Sequence, residues 1–153
     1  MANTYSQVYL HFIFAVKGRT NVIPKKYNDE LQKYMTGIIQ NRKQKLIVIN
    51  NVPDHIHILV GFSTTISIGD FMEEVKSISS KFINEKKWIR GKFEWQKGYG
   101  VFSYSRSQIK SVAQYIENQE QHHKKKSFRE EYIEFLKKFE IDYDDRYIFD
   151  WIE

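Results

Sequence analysis

The order of hydrophobic patterns along this chain predicts an α+β fold. It is ferredoxin-like (RRM-like), a split βαβ antiparallel sheet with helices on one face and a C-terminal helical extension. Three observations carry the prediction. Segments of period two and period 3.6 follow one another as β-α-β-β-α-β before a run of helices alone. The second and third strand segments are separated only by a short turn, as a hairpin requires. No repeat, low-complexity stretch or long linker interrupts the 153 residues, a length that suits one domain spanning 1–153.

Residues 5–16 (YSQVYLHFIFAV) alternate, with Val8, Leu10, Phe12, Phe14 and Val16 on one face and Tyr9, His11, Ile13 and Ala15 on the other. After a basic loop, residues 27–43 place Leu31, Tyr34, Met35, Ile38 and Ile39 at helical spacing. KLIVINNV and DHIHILVGF read as the second and third strands around the NNVPD turn. Ser67 to about Lys87 is a second helix with Ile68, Phe71, Met72, Val75, Ile78 and Phe82 as its stripe. Residues 93–105 (FEWQKGYGVFSYS) predict a fourth strand, or a bent strand pair given the two glycines. A third helix runs from Ser107 to about Gln121 behind a serine cap, and a fourth covers roughly 128–139. The C-terminal helix and acidic tail together take in about 127–153.

Composition narrows the function classes. The chain has no cysteine, which excludes disulfides and thiolate metal sites. Its first apolar run has no basic lead-in, is broken by His11 and is too short to span a bilayer, so a cytoplasmic protein with no membrane partner is expected. Residues 140–153 hold six acids and one arginine, net −5. That leaves 23 basic and 13 acidic side chains, net +10, on the other 139 residues. A basic body of 16% aromatic content favours a polyanion partner.

Four stretches carry chemistry. His55 and His57 in DHIHILV sit two apart in a strand, so both imidazoles share a face and can converge on one ion, while Ile56, Ile58 and Val60 point into the core. The structural reading is a half-exposed strand that carries two histidines; against it, polar groups on a central strand are costly unless used. His11 shares their face by parity. Tyr115 and Gln119, four apart in SQIKSVAQYIENQ, lie on one helical face beside the Ile109–Val112–Ile116 stripe. Taken alone they read first as a ring packed on the sheet, and second as a tyrosine nucleophile with an oxygen ligand beside it. KGYGVFSY nearly matches an RNA-recognition strand signature, but only helices follow it, so its position argues against that domain. HHKKK (His122 to Lys126) reads as a phosphate-binding cluster or as a solvated connector, and its histidines are not assigned to a metal.

The DHIHILV strand, followed well along the chain by QYIENQ, resembles the single-tyrosine HUH transposases of the simplest bacterial insertion sequences, the IS200-like and REP-associated tyrosine transposases. The YLHFIF opening strand, the WQKGYGVF segment and the total length fit the same likeness. The resemblance implies that Tyr115 is the nucleophile and that His55, His57 and Gln119 hold a divalent cation, Mg²⁺ or Mn²⁺. It implies a DNA transposase: a metal-dependent single-stranded DNA endonuclease and strand transferase that forms a 5′-phosphotyrosine and a free 3′-OH. It also implies single-stranded DNA with hairpin ends as substrate, and a homodimer. Candidate DNA contacts are Lys17, Arg19, Lys97, Arg106 and Lys110, with Lys25, Lys26, Lys76 and Lys81 as further members of the basic surface. A domesticated relative that cleaves chromosomal repeat hairpins, and a non-enzymatic RNA- or single-strand-binding module, are the alternatives.

Overall fold

The computed structural model describes residues 3–18, 22–144 and 146. Four strands form one antiparallel sheet: β1 (Tyr9–Ala15), β2 (Lys45–Val52), β3 (His55–Gly61) and β4 (Gly100–Tyr104), in the order β2-β3-β1-β4. That is the order of the split βαβ arrangement, with β1 and β3 central. Helices α1 (Asn28–Asn41) and α2 (Ile68–Lys86) cover one face. Their side chains meet Leu10, Phe12, Phe14, Ile56, Ile58 and Val60 in the main core. The alternation read from β1 and β3 thus sorts their residues between the two faces as expected.

The second face is not open to solvent. Helices α3 (Ile109–Glu117), α4 (Gln119–His122) and α5 (Phe128–Lys138) lie across it. Val112 and Ile116 of α3 pack on Leu59, while Phe128, Phe135 and Leu136 of α5 join Ile13, Ala15 and Phe102. A Ser127–Glu130 capping box opens α5 and fixes where it begins. Its Tyr132 ring comes so close to β4 that a Cβ added at Gly100 would stand 2.7 Å from it, so any side chain there would displace the ring.

Several predicted elements differ in extent: β1 is shorter than the expected 5–16, and two later differences shape the site. The fourth strand keeps only Gly100–Tyr104 of the expected 93–105. Upstream, Gly98 adopts φ +79° and turns the chain, leaving Trp95 in a lone bridge to Val16. Trp95 Nε1 donates to the buried Ser79 Oγ at 2.9 Å, which gives the irregular segment its anchor on α2. The expected third helix is interrupted at Asn118. Asn50 of the edge strand β2 donates to the carbonyls of Ile116 (2.9 Å) and Glu117 (3.2 Å), which satisfies the helix end and lets α4 restart at Gln119.

Among the described residues, no helix is long and apolar enough to cross a membrane. Arg19 and the tail aromatics Tyr147, Phe149 and Trp151 lie outside the described residues.

Candidate active site

The hairpin of β2 and β3 places His55 and His57 on the face beneath α3–α5, both essentially without solvent exposure. Their orientations are set from behind. His55 Nδ1 lies 2.7 Å from Asp54 Oδ1, and a ring proton shared there leaves Nε2 pointing under α5. His57 Nδ1 lies 2.7 Å from Nε2 of the fully buried His11, whose own Nδ1 has no partner among the described residues. Both pairs aim a histidine Nε2 at one spot.

Helix α3 brings Tyr115 to that spot, its ring 6.0 Å from the His57 ring. The break at Asn118 turns Gln119 inward, fully buried, with Oε1 3.4 Å from His55 Nε2. The structure therefore gathers His55, His57, Tyr115 and Gln119 from two distant segments of one chain.

Two further side chains stand among them. Glu131 of α5 is buried, and its Oε1 lies 3.3 Å from His55 Nε2, 3.2 Å from His57 Nε2 and 3.0 Å from His123 Nε2. Its Oε2 accepts from Gln119 Nε2 at 3.1 Å and from the Tyr115 hydroxyl. His55, His57, His123 and Glu131 thus offer ligand atoms within 4.8 Å of one another.

Sequence reasoning left His123 in a connector and overlooked Glu131. Signals for both were there. His123 follows Gln119 by four residues, one helical turn on. Glu131 falls between Phe128 and Phe135 on the apolar stripe of α5, where an acid has no packing reason to be.

Burial and charge oppose each other here. Burial disfavours a charged His55, yet hydrogen bonds and attraction from Asp54 and Glu131 prevail and raise its pKa. His57 is held below the ordinary imidazole value, chiefly by burial. Burial and then the neighbouring His55 lower His123 to about 4. Burial pushes the Glu131 carboxyl upward, but hydrogen bonds from His55 and His57 outweigh it, so the group stays ionised.

A cleft of about 630 Å³ between α3 and α5 reaches this cluster from solvent. Tyr115 and Glu131 line it together with His122, Lys137 and Lys138. The sequence-predicted cations are spread along the sheet. Lys17, paired with Glu94 at 3.7 Å, and exposed Lys97 lie at the end of β1 nearest His55. Arg106, donating to Tyr9 Oη at 3.3 Å, and exposed Lys110 lie at the opposite end, about 20 Å away at the usual strand rise.

Comparison with known proteins gives this cluster a family. Residues 4–119 match the family described as Transposase IS200 like. The chain belongs to that family. The ISDra2 transposase TnpA of Deinococcus radiodurans is 27% identical over 120 residues, which cover 74% of this chain and 84% of that protein. A crystal structure assigned as a transposase of Deinococcus radiodurans R1 superposes with a TM-score of 0.61 at 25% identity, covering 78% of this chain and 95% of that one. A REP-associated tyrosine transposase bound to a REP hairpin shares the fold, with a TM-score of 0.60 at 13% identity over 80% and 73% of the two chains. This IS200-like transposase is a DNA-processing enzyme whose histidine–glutamate cluster is compatible with a metal ion.

Proposed function

We propose that this transposase cuts and rejoins single-stranded DNA through a covalent bond to Tyr115, with a divalent cation held by His55, His57 and Gln119. The observation that carries the reading is convergence. A phenol, two imidazole Nε2 atoms and an amide oxygen from separate elements meet in one cluster, with Tyr115 lining a cleft open to solvent and His55, His57 and Gln119 buried behind it.

The residues present fit an ion. Ligands that share one cation at about 2.1 Å stand roughly 3.0 to 3.4 Å apart when adjacent. The 3.4 Å between His55 Nε2 and Gln119 Oε1 is a separation of that kind. A His57 Nε2 lone pair turned to an ion leaves the ring proton on Nδ1, where His11 Nε2 is in place to accept it. Imidazole nitrogens suit Mn²⁺ better than Mg²⁺. When bound, the ion supplies charge stabilisation to the scissile phosphate and the departing 3′ oxygen.

The chain's own part is attack and proton handling. Tyr115 Oη forms a bond to phosphorus as the bond from phosphorus to the 3′ oxygen breaks. The phenol proton passes to Glu131, to which the hydroxyl already donates, and the 3′ oxygen takes a proton from water to leave a 3′-OH. The 5′-phosphotyrosine keeps the energy of the diester, so another 3′-OH can reverse the step and join strands.

Lys137 and Lys138 on the rim suit a polyanion entering this cleft. The hairpin bound by the structurally similar REP-associated protein supports a single strand with a hairpin as substrate. Tyr115 and the histidines of one chain meet without a second copy. Mixing His57→Ala with Tyr115→Phe protein tests the homodimer reading, because recovered activity requires two copies to share a site. The main test is an end-labelled hairpin oligonucleotide incubated with Mn²⁺ or Mg²⁺. Wild type forms a denaturant-resistant adduct and Tyr115→Phe does not; an adduct with Tyr115→Phe removes Tyr115 as nucleophile.

A further inference from the structure

The carboxylate of Glu131 is buried and stands among side chains that can ligate a metal ion. Its partners are three imidazoles, an amide and a phenol, and among the described residues no lysine or arginine pairs with it. Three imidazole nitrogens gathered around one buried carboxylate oxygen are the surroundings that metal ligands present to an ion. Resting on the reading above, we propose that Glu131 and His123 are additional ligands of the ion, so that the segment after residue 119 completes the metal site and ties it to the nucleophile. The family match ends at residue 119, before either side chain.

Four features support this. Oε1 stands 3.0, 3.2 and 3.3 Å from three imidazole Nε2 atoms, the spacing of neighbouring ligands around one ion at about 2.1 Å. The second oxygen faces the other way and accepts from Tyr115, so one carboxylate spans the ion site and the phenol. The same oxygen takes Gln119 Nε2 at 3.1 Å, which turns Gln119 Oε1 toward His55 as a ligand must be turned. Lastly, α5 is held firmly enough to present a ligand. Its N-terminus carries the capping box, Phe128 lies 4.4 Å from the His55 ring, and Phe135 lies 5.4 Å from the His11 ring between centroids.

Glu131 thereby acts three ways through one group. It contributes an oxygen donor, it orients Gln119, and it fixes where the Tyr115 hydroxyl stands relative to the ion. The resulting donor set is three nitrogens and two oxygens, a mix that a transition ion such as Mn²⁺ accepts more readily than Mg²⁺ does.

The test uses the full chain, freed of metal with a chelator. MnCl₂ is titrated by calorimetry and CoCl₂ by visible absorption, whose bands report the donors around the ion. Wild type binds one equivalent. Glu131→Gln keeps the shape of the side chain but lowers Mn²⁺ affinity at least about tenfold and shifts the Co²⁺ bands. His123→Asn does likewise while leaving the carboxylate in place, and it stands in should Glu131→Gln fail to fold. Glu130→Gln, the neighbour turned toward Ser127, leaves both signals unchanged. Wild-type affinity and an unchanged Co²⁺ spectrum in Glu131→Gln or His123→Asn overturn the proposal. So does faster adduct formation in Glu131→Gln, which would make the carboxylate an obstruction. Wild type that binds neither ion removes the metal reading altogether, a distinct result.

Discussion

Ile56, Ile58 and Val60 alternate with His55, His57 and Leu59 along β3, and all six are almost fully buried. What differs is the cover. On one face α1 and α2 contribute Leu31, Met35, Ile39, Phe71 and Val75, and the contacts are predominantly apolar. On the other, α3–α5 bring a phenol, an amide, a third imidazole and a carboxylate down onto the histidines. Each apolar residue buried on the first face stabilises the fold by roughly 1.5–3 kcal/mol. On the second, desolvation works against the polar groups and is offset only by the partners they find. Burial is the same on both sides of the strand; partner chemistry separates the side that holds the main core from the side that carries the candidate site.

Substitutions on the two faces break this comparison in different ways. The largest effect belongs to Tyr115→Phe, which abolishes the covalent DNA adduct while differential scanning calorimetry shows a melting temperature close to that of wild type. Next comes Ile58→Ala. Truncating this side chain in a tight core costs about 2–5 kcal/mol of stability, read from the urea midpoint, and the folded fraction still binds Mn²⁺. Asp54→Ala sharpens the contrast, since it touches no apolar core. Losing the carboxylate behind His55 lowers Mn²⁺ affinity about 10- to 100-fold with little change in the urea midpoint.

The smallest effect sits at the edge of the apolar face. Lys76 donates to the carbonyls of Gln96 and Gly98, both at 2.7 Å, and burial lowers its pKa to about 8. The unfolded chain keeps that proton up to near 10.5, so between pH 8 and 10 it binds more protons than the folded one. Stability therefore gains from this group as pH rises through that window. Lys76→Met flattens the gain in urea titrations at pH 7.5 and 9.5; an identical pH slope in the variant rules the effect out.

How legible each face was follows from its physics. The apolar face is written in short-range periodicity, which is why the strand residues of the main core and the stripes of α1 and α2 were readable one segment at a time. The second face depends on pairs far apart in sequence. His55 and His57 were visible because an imidazole pair stands out on an apolar strand; spacing put Tyr115 and Gln119 on one helical face, but only the family likeness singled that face out. Glu131 was missed because an acid in the first turn of a helix has an ordinary electrostatic reason to be there. Its burial appears only once α5 lies on the sheet. The interruption at Asn118 was equally hidden, because the Asn50 side chain that satisfies the helix end comes from another strand.

The docking of α5 also has a meaning in time. All four strands and both core helices precede residue 105, whereas the carboxylate amid the imidazoles comes from residue 131. Chains are made from the N-terminus, so the sheet can close while the helix that fills the working face is still being synthesised. A nascent copy exposes its imidazoles and phenol first and receives its carboxylate last. The scaffold is therefore finished before the candidate site is complete.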